Sequence, residues 1–227
     1  MMDRPIHIFA LAGDKGAGKT HIADQMEALC SVLNGGYIVK RLKFADALKN
    51  FLAAFLGSQA KGDHFKTKEV YNGLTGRELL TTVGQGLREL VHEDIWADCL
   101  VQSITQFQSL GYLTSGLYKE VSGQTNYRNP YIFIIDDLRH KNELRKLHET
   151  YGVDNVTTIR VIDPSNEGNK GSHISENDLN DVELDHVYYN PRSEPAGIEH
   201  VLLIMQKELT NKHARMENKD EGRGSST

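Results

Sequence analysis

The chain has 227 residues, 39% of them apolar and 25% charged, with a formal net charge of −5. That length fits one medium α/β domain with room for a lid and a tail, and the composition is that of a globular protein able to bury a core. The acidic balance and the lack of a basic block argue against stable nucleic-acid binding. No apolar run approaches the ~20 residues needed to cross a bilayer, so no membrane association is expected.

The N-terminus reaches a strand at residues 5–11 too early to leave room for a signal peptide, which points to a cytoplasmic protein. Cys30 and Cys99 stand far apart in helical patterns and read as ordinary thiols; the sequon at Asn155 falls in a strand and is discarded. After the first strand comes Gly13-Asp14-Lys15-Gly16-Ala17-Gly18-Lys19-Thr20, which matches the phosphate-binding pattern G-x-x-x-x-G-K-[ST] at every specified position. The glycines let backbone N–H groups turn toward one anion, and the dipole of the following helix adds to that field. Lys19 would reach the β- and γ-phosphates of a nucleoside triphosphate, and the Thr20 hydroxyl would ligate Mg²⁺.

The helix opened by the loop spans 19–33 and is closed by Asn34-Gly35-Gly36. A strand at 37–42 and a helix at 46–55 follow, the latter with Ala47, Leu48, Phe51, Leu52 and Phe55 at helical spacing. Residues 57–75 are polar and punctuated by glycine, which predicts a mobile surface connection.

The next helix, 76–90, carries chemistry. At 100° per residue, Arg77, Thr81, Gly84 and Arg88 fall within about 60° of one another, beside an apolar arc of Leu79, Leu80, Val83, Leu87 and Leu90. Two guanidinium groups on one face suit a phosphate, whose oxygens each planar fork can bind in pairs, although a solvated basic face would look the same. Gly84 costs ~1 kcal/mol against alanine inside a helix, a cost that makes sense if a flat ligand lies against the backbone there. A helix at 94–110 follows, with Asp94 as N-cap, and it contains Trp96, a residue found more often in cores than in ligand walls. Residues 111–129 read as an exposed insertion with room for a hairpin.

Residues 131–135 form a continuous apolar strand ending in Asp136-Asp137, where a metal-holding acid is expected. Strand alternation leaves open which of Asp136 and Asp137 serves Mg²⁺, in part through water. A helix at 138–151 would put Arg139 and Glu143 on one face. A strand at 156–162 contains Arg160. The polar stretch 163–185, with a short helical turn near 175–179, reads as a lid containing His173 and Glu176. A last strand at 187–189 and a helix at 195–209 complete the domain, and the polar residues after Thr210 predict a disordered tail. Alternating strands and helices imply a parallel sheet covered on both faces, with the ligand site at the carboxyl ends of its strands.

The succession of motifs resembles a phage-type deoxynucleoside monophosphate kinase of the P-loop nucleotide-kinase superfamily. Phe44-Ala-Asp-Ala-Leu-Lys49, the Arg77–Arg88 helix followed by Trp96, Asp137-x-Arg139-x-x-x-Glu143, and Arg160 with His173-Ile-Ser-Glu176 are similar to that family's segments, in the same order, over about residues 6–209. The resemblance implies the P-loop NTPase three-layer α/β fold within one domain, 1–210, with a helical monophosphate-binding region at about 44–110, a lid at about 163–185 and a tail at 211–227. It implies transfer of the γ-phosphoryl of ATP, with Mg²⁺, to a deoxynucleoside 5′-monophosphate, in the host cytoplasm if the gene is a phage's. Lys19, Asp137, Arg139 and Arg160 would carry catalysis. The acceptor pocket would comprise Arg77, Thr81, Gly84, Gln85, Arg88, Trp96, Asp137, Arg139 and Glu143. Thr81 stands where the family usually has Gln, which leaves base preference open, and a homodimer is left open too. Other readings are a P-loop kinase of a different small metabolite, such as dephospho-coenzyme A or a sugar acid, and a GTP-binding switch, against which the missing N-K-x-D motif counts.

Overall fold

The computed structural model describes residues 5–32, 37–122, 130–166, 178–190 and 198–223. Five strands, β1 (Ile6–Ala12), β2 (Ile38–Leu42), β5 (Tyr131–Leu138), β6 (Val156–Ile162) and β7 (His186–Tyr189), form one sheet of order β2-β5-β1-β6-β7, every pair parallel. Adjacent strands β1 and β5 are mostly apolar, residues 8–12 and 131–135 without a break, because both faces are covered. Side chains alternate between them: Ile8, Ala10, Phe133 and Ile135 face one core, which contains Leu100 and Ile104 of α4 (Ile95–Ser122) and Leu144 and Leu147 of α5 (Lys141–Tyr151). Phe9, Leu11, Ile132 and Ile134 face the other, against Ile22 and Met26 of α1 (Lys19–Val32) and Val201 and Met205 of α6 (Ile198–Arg223). The result is the expected three-layer α/β arrangement with a central parallel sheet.

A satellite core sits apart from the sheet. Leu52 of α2 (Phe44–Leu56), Ala60 and Phe65 pack with Leu48, Leu79, Leu80 and Val83, the last three on α3 (Gly76–Leu90). The connection 57–75, expected to be mobile, instead forms two 3₁₀ turns, Ser58–Lys61 and Asp63–Thr67, and a hairpin of β3 (Glu69–Tyr71) and β4 (Leu74–Thr75). Phe65 and Ala60 anchor it by burial, and Gly76 passes so close to Phe65 that an added Cβ would meet its carbonyl oxygen at 2.1 Å. Thr75 and Glu78 close a capping box at the start of α3.

Several boundaries differ from expectation. The helix from Ile95 runs on to Ser122, through 111–122 of the expected insertion, since that stretch contains no proline to stop it; 123–129 lie outside the described residues. The last helix continues past Thr210 to Arg223, because its Lys, Ala, Arg, Met and Glu residues favour helix without needing a buried face. Strand β5 extends to Leu138, which delays α5 to Lys141. Leu90, assigned to the apolar arc of α3, is exposed, as is Phe55 of α2, which packs edge-on against Phe51. Cys30 is buried and its thiol is pushed up to about 12 by burial; Cys99 is half-buried. Among the described residues no helix is long and apolar enough to cross a membrane. The expected lid is described only at its ends, so His173 and Glu176 lie outside the described residues, as do 34–36.

Candidate active site

The phosphate loop connects β1 to α1, and Gly13, Gly16 and Gly18 all adopt positive φ, at 140°, 85° and 94°. The space left by two of the missing side chains is occupied by the protein itself. A Cβ on Gly13 would sit 2.1 Å from the Val161 carbonyl oxygen of β6, and one on Gly18 would sit 2.2 Å from Asn190 Nδ2. Asn190, just beyond β7, donates from Nδ2 to the Ala17 carbonyl at 2.8 Å and so braces the loop from behind. Lys19 Nζ donates to the carbonyls of Gly13 at 2.6 Å and Asp14 at 2.8 Å, curling over the loop. Burial, and then the charge of Arg139, lower the Lys19 pKa to about 8.

Asp136 and Asp137 point to different partners. Asp136 is buried, and its Oδ2 accepts from the Thr20 hydroxyl at 3.2 Å, from Lys43 Nζ at 3.1 Å and from Arg41, which also grips Asp24. Burial alone would raise this carboxyl, but Arg41 and Lys43 outweigh it and hold the pKa below its ordinary value. Its other oxygen, Oδ1, is buried and has no hydrogen-bond partner among the described residues. An orphaned carboxylate oxygen beside a threonine hydroxyl is a pair of hard donors, which fits a small divalent cation such as Mg²⁺. Asp137 instead accepts the backbone N–H groups of Phe44 at 2.9 Å and Ala45 at 3.0 Å, tying down the start of α2.

The arginine face of α3 is held from α5. Glu143 is buried and accepts from Arg88 Nη2 at 2.8 Å with one oxygen and from the N–H groups of Arg139 (2.9 Å) and His140 (3.1 Å) with the other. Arg139 and Glu143 therefore do not share a helix face as expected: α5 starts at Lys141, after Arg139, so Glu143 caps the helix and meets that residue's backbone. Burial pushes the Glu143 carboxyl up to about 7 against the pull of Arg88, with the charge of Asp137 adding to the rise. His140 is lowered to about 4 by burial and by Arg88; its Nδ1 lies 3.2 Å from Asp178 Oδ2.

Trp96 is buried, and its Nε1 donates to the Gly84 carbonyl at 3.0 Å, bracing α3 from below. The absent side chain of Gly84 makes room for Leu48 of α2, whose Cδ2 would lie 3.0 Å from an added Cβ. Leu48 thus takes up part of the space this glycine leaves, and Gly84 also lines the cleft where a flat ligand was expected. Arg160 is turned onto the carbonyls of Leu179 (2.6 Å) and Val182 (3.0 Å), so its guanidinium holds the returning end of the 163–185 stretch. It still borders a small cavity with Gly13, Asp14, Lys15, Lys19 and Arg139.

One cleft of about 720 Å³ brings most of these groups together. Lys15, Gly16, Lys19 and Thr20 line it from the loop and Asp136 and Asp137 from β5. Arg77, Thr81, Gly84, Gln85, Arg88 and Trp96 line it from the helical side, with Arg139 and Glu143. Gly13, Asp14 and Arg160 border the smaller cavity. Ala17 is buried, and Ala17 and Gly18 form the back of the loop. In a chain of net charge −5, this wall is cationic, because Lys43, Lys49 and Lys66 join the arginines. Sequence reasoning missed Arg41, Lys43, His140 and Asn190. A run of three basic residues within Lys40–Lys43 was the available signal for two of them, but only strand pairing says which face Asp136. Among the described residues no cluster of three or more His, Cys, Asp or Glu could hold a metal.

No protein-family model matches the chain. No curated protein sequence matches it either. Among solved structures, the crystal structure of APE1195 is similar at 16% identity and a TM-score of 0.42, covering 92% of this chain and 97% of that one. A gluconokinase from Sinorhizobium meliloti 1021 is similar at 13% identity and a TM-score of 0.34, covering 90% and 99%. At these identities and scores, neither likeness bears on substrate.

Proposed function

We propose that this chain is an ATP-dependent kinase that phosphorylates a deoxynucleoside 5′-monophosphate, giving the diphosphate and ADP. One observation supports the reading above the rest: the phosphate loop, the Thr20–Asp136 pair and the two-arginine face of α3 open onto a single cleft. A donor site alone would need only the first two.

In this reading the loop backbone and Lys19 hold the ATP phosphates, and Thr20 with Asp136 holds Mg²⁺. Bound there, Mg²⁺ would supply charge neutralisation to the β- and γ-phosphate oxygens. Asp137 acts at one remove, by fixing the start of α2. Arg77 and Arg88 grip the acceptor phosphate, and Glu143 sets the direction of Arg88. Arg139, exposed at the mouth, and Arg160, bordering the inner cavity, add positive field where charge is transferred. Thr81, Gln85 and the edge of Trp96 border the space left for the base, over the packed backbone of Gly84. An acceptor phosphate oxygen attacks Pγ, the bond from Pγ to the β–γ bridging oxygen breaks, and ADP leaves with that electron pair. Such chemistry needs positioning and charge stabilisation and no covalent nucleophile from the protein.

A coupled ADP-release assay with ATP, Mg²⁺ and each of the four dNMPs tests this. Turnover with at least one is expected; none with any would refute the acceptor assignment. Position 81 offers a lone hydroxyl to a base edge, and this favours a second reading in which the acceptor is a different phosphorylated metabolite. Turnover with such a compound and with no dNMP would establish it.

A further inference from the structure

Lys43 has no part in the roles above, yet it stands at the junction of the two half-sites. The register of β2 on β5 pairs Leu42 with Ile135, so Lys43, the first residue past β2, stands beside Asp136 of β5. Lys43 Nζ reaches Asp136 Oδ2 at 3.1 Å, and through that carboxylate it is linked to Thr20 of the loop. On its other side, the next two residues give their N–H groups to Asp137 and open α2, whose Leu48 packs over Gly84 of α3. The backbone at Lys43 is therefore pinned between donor and acceptor elements, while its side chain is 32% exposed and lines the cleft.

Arg41 shares the same carboxylate but differs in each of these respects. It is 17% exposed, it is anchored a second time by Asp24, and it is not part of the cleft wall. Arg41 is thus fixed on Asp136 from behind, and Lys43 is the partner of that carboxylate whose side chain faces the cleft. An ammonium has three donors on a flexible four-carbon stem, so it can keep one bond to Asp136 and still turn to an anion in the cleft.

We propose that Lys43 is a catalytic residue whose ammonium binds a non-bridging phosphate oxygen of the acceptor, from the sheet side, opposite the grip of Arg77 and Arg88. Phosphoryl transfer must bring two anionic phosphates into contact, and a mobile cation at the junction lowers that repulsion without taking or giving a proton. The proposal rests on the phosphoryl-transfer reading of the cleft but not on the identity of the base.

The test uses Lys43→Met, which keeps the stem and drops the charge, with Lys43→Arg beside it; thermal unfolding establishes that both are folded. Inorganic phosphate is titrated, followed by ³¹P NMR, into protein already loaded with Mg²⁺ and a non-hydrolysable ATP analogue. Phosphate should bind about tenfold more weakly to Lys43→Met than to the wild type, with analogue affinity unchanged and partial recovery in Lys43→Arg. Equal phosphate binding by wild type and Lys43→Met, including none by either, would overturn the proposal. So would an equal loss of analogue affinity, which would assign Lys43 to Asp136 and the metal side. If the wild type turns over no dNMP, the acceptor assignment fails separately, and Lys43 is still judged by the phosphate titration.

Discussion

Replacing Glu143 with glutamine should change how stability depends on pH, and the structure gives the sign. Inside the fold, burial raises this carboxyl from an ordinary 4.5 to about 7, against Arg88 and with help from the charge of Asp137. The folded state thus holds the proton more tightly than the unfolded chain does. That preference stabilises the fold fully below about pH 4.5 and is lost as pH rises through about 7. A tenfold change in proton affinity is worth about 1.4 kcal/mol, so the whole window is worth about 3 kcal/mol. The amide of Glu143→Gln has the same shape and does not titrate. Urea unfolding of both proteins near pH 5 and near pH 8 isolates the effect, because groups not coupled to Glu143 cancel in the difference. Relative to the variant, the wild type should lose about 2–3 kcal/mol between those pH values. A constant difference would mean that the attraction of Arg88 equals the cost of burial, and a wild type that gains would mean that it exceeds that cost; either result refutes a raised Glu143.

Three further substitutions probe separate parts of the account. Lys19→Ala should abolish phosphoryl transfer while leaving the unfolding midpoint near the wild-type value, because among the described residues Nζ bonds only the loop carbonyls of Gly13 and Asp14; substantial residual turnover would remove the loop from the chemistry. Arg77→Ala should raise the KM for the monophosphate about tenfold or more and hardly move that for ATP, and equal effects in steady-state kinetics would misplace the acceptor pocket. Gly13→Ala should destabilise by about 3 kcal/mol or more in urea, since the new Cβ would face the Val161 carbonyl at 2.1 Å with φ at 140°; a loss under about 1 kcal/mol would contradict the close approach of loop and β6.

Much of the fold is legible in local patterns. The apolar run before the loop, the period of α3 from Gly76 to Leu90, and β6 from Val156 to Ile162 need only neighbouring residues to define them. The arginine face is legible for the same reason: 100° per residue puts Arg77, Thr81, Gly84 and Arg88 together, and all four line the cleft. What was not legible depends on partners distant in sequence. Ala10 and Ala12 of β1 pair with Ile135 and Leu138 of β5, so three steps on one strand match two on the other, and simple alternation cannot assign the faces of Asp136 and Asp137. The two acids then divide between Thr20, Arg41 and Lys43 on one side and the start of α2 on the other. Gly84 signals a close approach, but that Leu48, 36 residues earlier, packs there is visible only in the fold. The ordered 57–75 connection depends on Phe65 finding the satellite core, and a polar, glycine-punctuated stretch hides that.

The central claim is that loop and arginine helix form two halves of one transfer site. Its most direct test is to incubate the protein with γ-labelled ATP, Mg²⁺ and each dNMP, and to separate the products by chromatography. Two halves of one site should put the label in a deoxynucleoside diphosphate, in amounts equal to the ADP formed. Label found only in inorganic phosphate, or left in ATP whichever dNMP is present, would contradict it.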